Sequence, residues 1–152
     1  MPRTVVDTNV WISALLNPHG APARVLQALR SGLFVLVISE PLLSELAAVL
    51  SRPRILQKYP GVGPNVDTLL QLLRTYSDDM VITGAIRLCR DLHDNMLIET
   101  ALLGHANSIV SRDDDLKGDS DLVKILASHG VDVLTVQHFL DTLDAAGSLH
   151  EV

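Results

Sequence analysis

Two carboxylates of this chain stand just beyond apolar runs of strand length. Asp7 closes "RTVVD", and Asp113 follows "NSIV" after Ser111 and Arg112 in "IVSRDDDLK". β-Branched residues such as Val5 and Val6 suit a strand buried on both faces. An ionised carboxylate at the edge of such a core is costly unless a cation or hydrogen bonds compensate it. Two more acids are marked by helical period. Asp94 precedes Leu97, Ile98 and Ala101 at i+3, i+4 and i+7, and Glu45 sits among Leu42, Leu43, Leu46 and Val49, so both fall on or beside a buried arc. Taken singly, each has an ordinary reading: Asp7 as an Asx turn, Asp94 as a helix cap, Glu45 as a boundary residue whose head reaches water, Asp113 to Asp115 as a solvated loop. Taken together, four acids at one end of one sheet repel each other and call for a shared cation. Hard oxygen donors without a Cys set or a close His pair favour Mg²⁺ or Mn²⁺ over zinc. The chemistry this supports is metal-assisted hydrolysis, with two ions stabilising the attacking and leaving oxygens of an in-line phosphoryl displacement.

The elements that must position these acids alternate along the chain. Strand-length apolar runs are Thr4 to Val6, Phe34 to Ile38, Met80 to Ile82, Ser108 to Val110 and Val131 to Val136. Helical periods fill Pro22 to Arg30, Pro41 to Ser51 with Ser39 as N-cap, Pro64 to Tyr76, Asn95 to His105, Asp121 to His129 and Gln137 to Leu143. This β-α-β order predicts an α/β fold, a three-layer α/β/α arrangement around a mainly parallel sheet of about five strands. One domain over residues 1–146 is expected, with a loose tail over 147–152. In such folds sites lie at the carboxyl ends of strands, where the strand order reverses. Asp7 and Asp113 share a crevice if their strands are neighbours there.

Composition bounds the rest. The 152 residues are 47% hydrophobic and only 3% aromatic, with mean hydropathy +0.28, which describes a globular domain with an aliphatic core and not a disordered chain. The single cysteine, Cys89, excludes an intramolecular disulfide framework and a multi-thiolate zinc site; it reads as structural. With no leader pattern and no apolar run long enough to span a bilayer, the expected location is the cytoplasm. Twelve Lys+Arg against eighteen Asp+Glu give a net charge of -6, so nothing attracts nucleic acid globally. Carboxylates gathered around metal would account for part of that balance, the metal restoring positive charge locally. Arg52, Arg54 and Lys58 form a basic patch suited to phosphate or a protein partner, or simply to solvent, and Arg112 is a further contact candidate. Trp11 reads as a packing residue, and the six histidines, His93 among them, as surface or capping residues.

The stretches "VVDTNVWISALL", "SEPLLSELAAVLSRPRI", "CRDLHDNMLIETAL" and "IVSRDDDLK", in this order and spacing, resemble the PIN-domain family of metal-dependent ribonucleases, known as toxin components of toxin–antitoxin pairs. The resemblance spans nearly the whole chain. It implies Asp7, Glu45, Asp94 and Asp113 as the acidic set that holds metal, with Asp115 as an additional acid and Asn9 and Ser111 as supporting polar groups. It also implies single-stranded RNA as substrate and a cognate antitoxin. His93 departs from the pattern, standing where an acid or small polar residue is expected. A haloacid-dehalogenase-like phosphatase is the alternative from phosphoryl chemistry, but it wants a second acid where Asn9 stands. A receiver domain would need its acid after a middle strand, and "MVITGAI" offers none. A silent PIN-like module that binds RNA or protein is a further alternative. The wide leucine arc Leu69, Leu70, Leu72 and Leu73 leads us to expect a homodimer.

Overall fold

A computed structural model describes residues 1–112 and 114–145, and of 114 and 115 the backbone alone. Asp113, the Asp115 side chain and the expected tail over 147–152 therefore lie outside the described residues. Five strands, β1 (Arg3–Val6), β2 (Val35–Ser39), β3 (Ser77–Met80), β4 (Ser108–Val110) and β5 (Asp132–Leu134), form one sheet in the order β3-β2-β1-β4-β5. Every pairing is parallel. The order turns back at β1, which pairs with β2 on one side and β4 on the other, so the ends of β1 and β4 adjoin.

Alternate strand residues feed two cores. Val6, Leu36, Ile38 and Val110 enter one, packed with α1 (Thr8–Leu16), α2 (Ala21–Arg30), α3 (Glu40–Leu50), α5 (Gly63–Thr75) and α9 (Val136–Ala145). Val5, Val37, Ile109 and Val133 enter the other, packed with α6 (Leu92–Leu103), α7 (Asp114–Gly118) and α8 (Ser120–Ser128). The period-2 alternation of a strand thus makes the three layers expected from the sequence. Trp11 is buried in the first core. Among the described residues no helix is long and apolar enough to cross a membrane.

Several elements differ from expectation for physical reasons. The third strand is Ser77–Met80 and not Met80 to Ile82: as an edge strand paired only with β2, it tolerates Asp78 and Asp79, while Val81 is exposed. Asp78 also holds Arg3 in an ion pair at 2.7 Å. The last apolar run is a three-residue strand, with Val136 already starting α9. Helix α1 gave no amphipathic stripe because Thr8, Val10, Trp11 and Ala14 are buried around much of its girth. The short helices α4 (Pro53–Lys58) and α7 are too brief to show a helical period in the sequence. Ser39 does sit at the N-cap of α3, but its hydroxyl pairs with Thr100 Oγ1 at 2.9 Å instead of capping. Finally, Leu69 and Leu73 are buried inside this chain's own core, with Leu70 and Leu72 packed partly against it, so the leucine arc is not a free face for a second copy.

The end of α6 approaches the sheet closely at Gly104. A Cβ there would overlap Val37 Cγ1, and Met80 Cγ would lie at 3.3 Å. Val37 is itself buried and branched, so it cannot swing aside. We expect Gly104→Ala to destabilise the fold by about 1–3 kcal/mol, as overpacking does. The urea midpoint measures this, and an unchanged midpoint would show that the helix end has room to shift.

Candidate functional site

Asp7 leaves β1 in extended conformation, with φ -62 and ψ 147, and occupies the N-cap of α1 without a side-chain capping bond. Its amide donates to the Val110 carbonyl at 2.8 Å, which continues the β1–β4 pairing one residue further. The carboxylate is only 1% exposed and is taken up by tertiary partners. Ser111, at the end of β4, donates its hydroxyl to Oδ2 at 2.7 Å, and Thr8 Oγ1 lies 3.4 Å from Oδ1. Neither the Asx turn nor a helix cap describes Asp7.

The main partner of Oδ1 is His93, whose Nε2 lies at 2.6 Å. The other ring nitrogen, Nδ1, stands 2.7 Å from Oε1 of Glu45 on α3. One imidazole thus spans two carboxylates, and only the doubly protonated ring presents an N–H to each. Burial alone would lower the pKa of this ring. The hydrogen bond and charge of Asp7, then those of Glu45, outweigh it and raise the pKa to about 9. His93 is therefore neither a surface nor a capping residue. It is an internal cation.

Local chemistry fixes that ring. The carboxylate of Asp91, the true N-cap of α6, accepts the His93 amide at 2.8 Å. Asn95 clasps the Cys89 backbone twice, accepting its N–H at 2.8 Å and donating to its carbonyl at 3.0 Å. Upstream, buried Glu99 accepts the amides of Thr83 at 2.6 Å and Gly84 at 2.9 Å. Burial pushes the Glu99 carboxyl up, yet these donors prevail and hold it below the usual value. Gly84, at φ 81, provides the left-handed turn.

Of the acids singled out in the sequence, Asp7 and Glu45 are brought together through His93. Asp94 follows His93, is buried in the first turn of α6, and lines a cleft of about 440 Å³ with Cys89, Asp91 and Asp119. Burial, and then those three acids, raise the pKa of the half-buried Cys89 thiol, which disfavours the reactive thiolate. Asp113 and the Asp115 side chain lie outside the described residues. Among the described residues no three acid, His or Cys side chains stand together as a ready metal site. Ser111 serves Asp7 directly, whereas the Asn9 amide oxygen accepts the Arg112 N–H at 3.3 Å. The Arg112 guanidinium in turn reaches the Ser13 hydroxyl. Arg52, Arg54 and Lys58 are exposed around α4. The functional residue that sequence reasoning missed is His93, although its mismatch with the surrounding pattern was the available signal.

A family profile described as PIN domain matches residues 3–115. An uncharacterized protein of Methanocaldococcus jannaschii is 33% identical over 126 residues, which cover 81% of this chain and 74% of the relative. Among solved structures, FitAcB from Neisseria gonorrhoeae is similar with TM-score 0.57 at 17% identity, over 89% of this chain and 99% of that one. VapBC2 from Rickettsia felis, bound to a DNA fragment from their promoter, is similar with TM-score 0.56 at 15% identity, over 88% and 98% of the two chains. At these identities the two structures speak for the fold.

The bridging imidazolium makes the metal-free protein sensitive to pH in a definite direction. A folded-state pKa of about 9 against an ordinary 6.5 means that the stabilisation is complete below pH 6.5 and is lost as pH rises through 9. Between about pH 6.5 and 9.5 we expect a loss of roughly 2–3 kcal/mol in urea denaturation with EDTA present. His93→Gln should flatten that decline. A wild-type profile already flat over this window would refute the charged bridge.

Proposed function

Because the chain belongs to the PIN domain family, we propose that it is a divalent-metal-dependent endoribonuclease that cleaves single-stranded RNA by attack of water on a phosphodiester, acting as the toxin of a toxin–antitoxin pair. The observation that carries this reading is the pairing of Asp7 and Glu45 across a single cation at the carboxyl ends of β1 and β4. A place between two carboxylates that already accommodates a positive charge, lined by hard oxygens, fits Mg²⁺ or Mn²⁺ in charge and in donor type.

In this reading Asp7, Glu45, Asp94 and Asp113 would hold the metal, with Asp115 as an auxiliary acid. A bound Mg²⁺ or Mn²⁺ would supply positive charge against the oxygens of the displacement and lower the pKa of attacking water. Ser111 orients the Asp7 carboxylate through its 2.7 Å hydrogen bond, the kind of outer partner on which ligand geometry depends. Asn9 holds the backbone of Arg112, whose guanidinium stands beside the site to meet phosphate. Arg52, Arg54 and Lys58 are further candidates for RNA or antitoxin contact. The phosphatase alternative loses ground here, because Asn9 spends its amide oxygen on that backbone instead of supplying a second acid. The antitoxin, a cytoplasmic location and a homodimer belong to the same proposal by family, and the homodimer would use a surface other than the α5 leucines.

Two measurements test it. Purified Asp7→Asn should lose metal-dependent RNA cleavage by about a hundredfold or more, since even outer-shell changes at metal sites cost 10–100-fold. Cleavage at the wild-type rate would sink the assignment. Millimolar Mg²⁺ or Mn²⁺ should also raise the wild-type melting temperature and EDTA reverse the rise, because a ligand that binds only the native state stabilises it. A metal-dependent rise without any cleavage would favour the silent binding module.

A further inference from the structure

Beside the acidic site lies a cavity of about 660 Å³ to which no role has yet been given. Its walls come from α1, the turn into α2, the end of α4 and the segment from Thr135 into α9, and it includes Ser111 and Arg112. Its volume falls in the range that encloses a small organic ligand. The wall chemistry is specific. Arg112 and Lys117 bring two cations to a chain of net charge -6, and Tyr59 brings an aromatic ring. Asn17 and Gln137 bring two carboxamides. Asn17 Oδ1 accepts the His19 amide at 3.2 Å and Gln137 Nε2 donates to Asp141 at 2.9 Å. The remaining polar atom of each amide, the Asn17 nitrogen as donor and the Gln137 oxygen as acceptor, completes a complementary pair.

Cations, an aromatic face and a donor–acceptor pair are what a single unstacked nucleotide requires: phosphate neutralised by Arg and Lys, base stacked on a ring, base edge read by amides. The cavity adjoins the candidate active site at Ser111, which lines it while its hydroxyl holds Asp7. We propose that this cavity is a nucleotide subsite that seats one base of the RNA strand next to the scissile phosphate. Tyr59 is its platform, Asn17 and Gln137 are its readers, and Arg112 and Lys117 are its phosphate contacts. The proposal deepens the ribonuclease reading and rests on it for the identity of the strand, but its test does not depend on turnover.

The test uses the full chain carrying Asp7→Asn, in EDTA, with short single-stranded RNA oligonucleotides of different base composition and with the four nucleoside 5′-monophosphates as probes. Amide NMR shifts should cluster at Asn17, Tyr59, Arg112 and Gln137. Adding Tyr59→Leu should weaken oligonucleotide binding by about tenfold, the scale of losing one stacked base. Lys117→Gln should reduce the salt slope of log Kd by about 0.7, as for one phosphate contact to a single strand. Asn17→Ala and Gln137→Ala, both at exposed positions, should leave the melting temperature in place while changing which oligonucleotide binds best. In the active chain the same two variants should change the cleavage pattern. RNA binding and a cleavage pattern that ignore all four substitutions would overturn the subsite while leaving the ribonuclease reading intact. Nucleotide binding at these residues in a wild-type protein that cleaves no RNA with Mg²⁺ or Mn²⁺ would uphold the subsite and reject the ribonuclease. A cavity whose resonances move only with a protein partner, and not with RNA, would also overturn it.

Discussion

The buried charge of Asp7 is the constraint on which the site depends. A carboxylate 1% exposed at the end of a central strand is tolerable only if donors and positive charge reach it. The sheet order brings β4 alongside β1, so Ser111 can donate to one oxygen. The other oxygen needs a group from the far layer. That need explains the care with which the start of α6 is built: the Asp91 cap, the Asn95 clasp on Cys89 and the Glu99 anchor of the preceding loop all fix the backbone from which His93 reaches across. Glu45, half exposed on α3, then closes the chain of alternating charge.

Much of this was legible because strand burial writes itself into β-branched runs. "TVV" and "NSIV" marked β1 and β4 within a residue, and the rule for sites at a reversal of strand order drew attention to their carboxyl ends, which the sheet sets side by side. The periods of "DNMLIETA" and "LLSEL" likewise put Asp94 and Glu45 at the edge of the core, and both cores confirm those arcs through Leu97, Ile98, Leu43 and Leu46. What was hidden was hidden for different reasons. The third strand carries Ser, Asp and Asp because an edge strand need bury only part of itself, so its identity lies in its pairing with β2 and not in its composition. Helix α1 was hidden for the opposite reason, being buried on too many sides to show a stripe.

His93 was hidden in a third way. Its role is set by two residues that lie 86 and 48 positions away in the chain, a relation that no local pattern expresses. Spacing rules for histidine look for a second ligand nearby, whereas this ring acts as a single cation between acids brought together by the fold. Its misfit in the motif was the one local trace of that role.

The same geometry bears on how the proposed metal would be accommodated. The imidazolium hydrogen-bonds to Asp7 and stands within ion-pair distance of Glu45, so it relieves their repulsion without oxygen ligation. A divalent cation between these acids would offer twice the charge, and His93 could not then keep both of its carboxylate contacts. Exchange of one cation for the other would therefore require the His93 side chain to give up at least one carboxylate and would not be simple filling of a vacant cage. Ser111 stands outside that exchange, because it holds the opposite oxygen of Asp7. It can keep the carboxylate aimed while the partner of Oδ1 changes. Since Ser111 also lines the neighbouring cavity, one short hydroxyl links the acid of the site to the surface where a strand would lie.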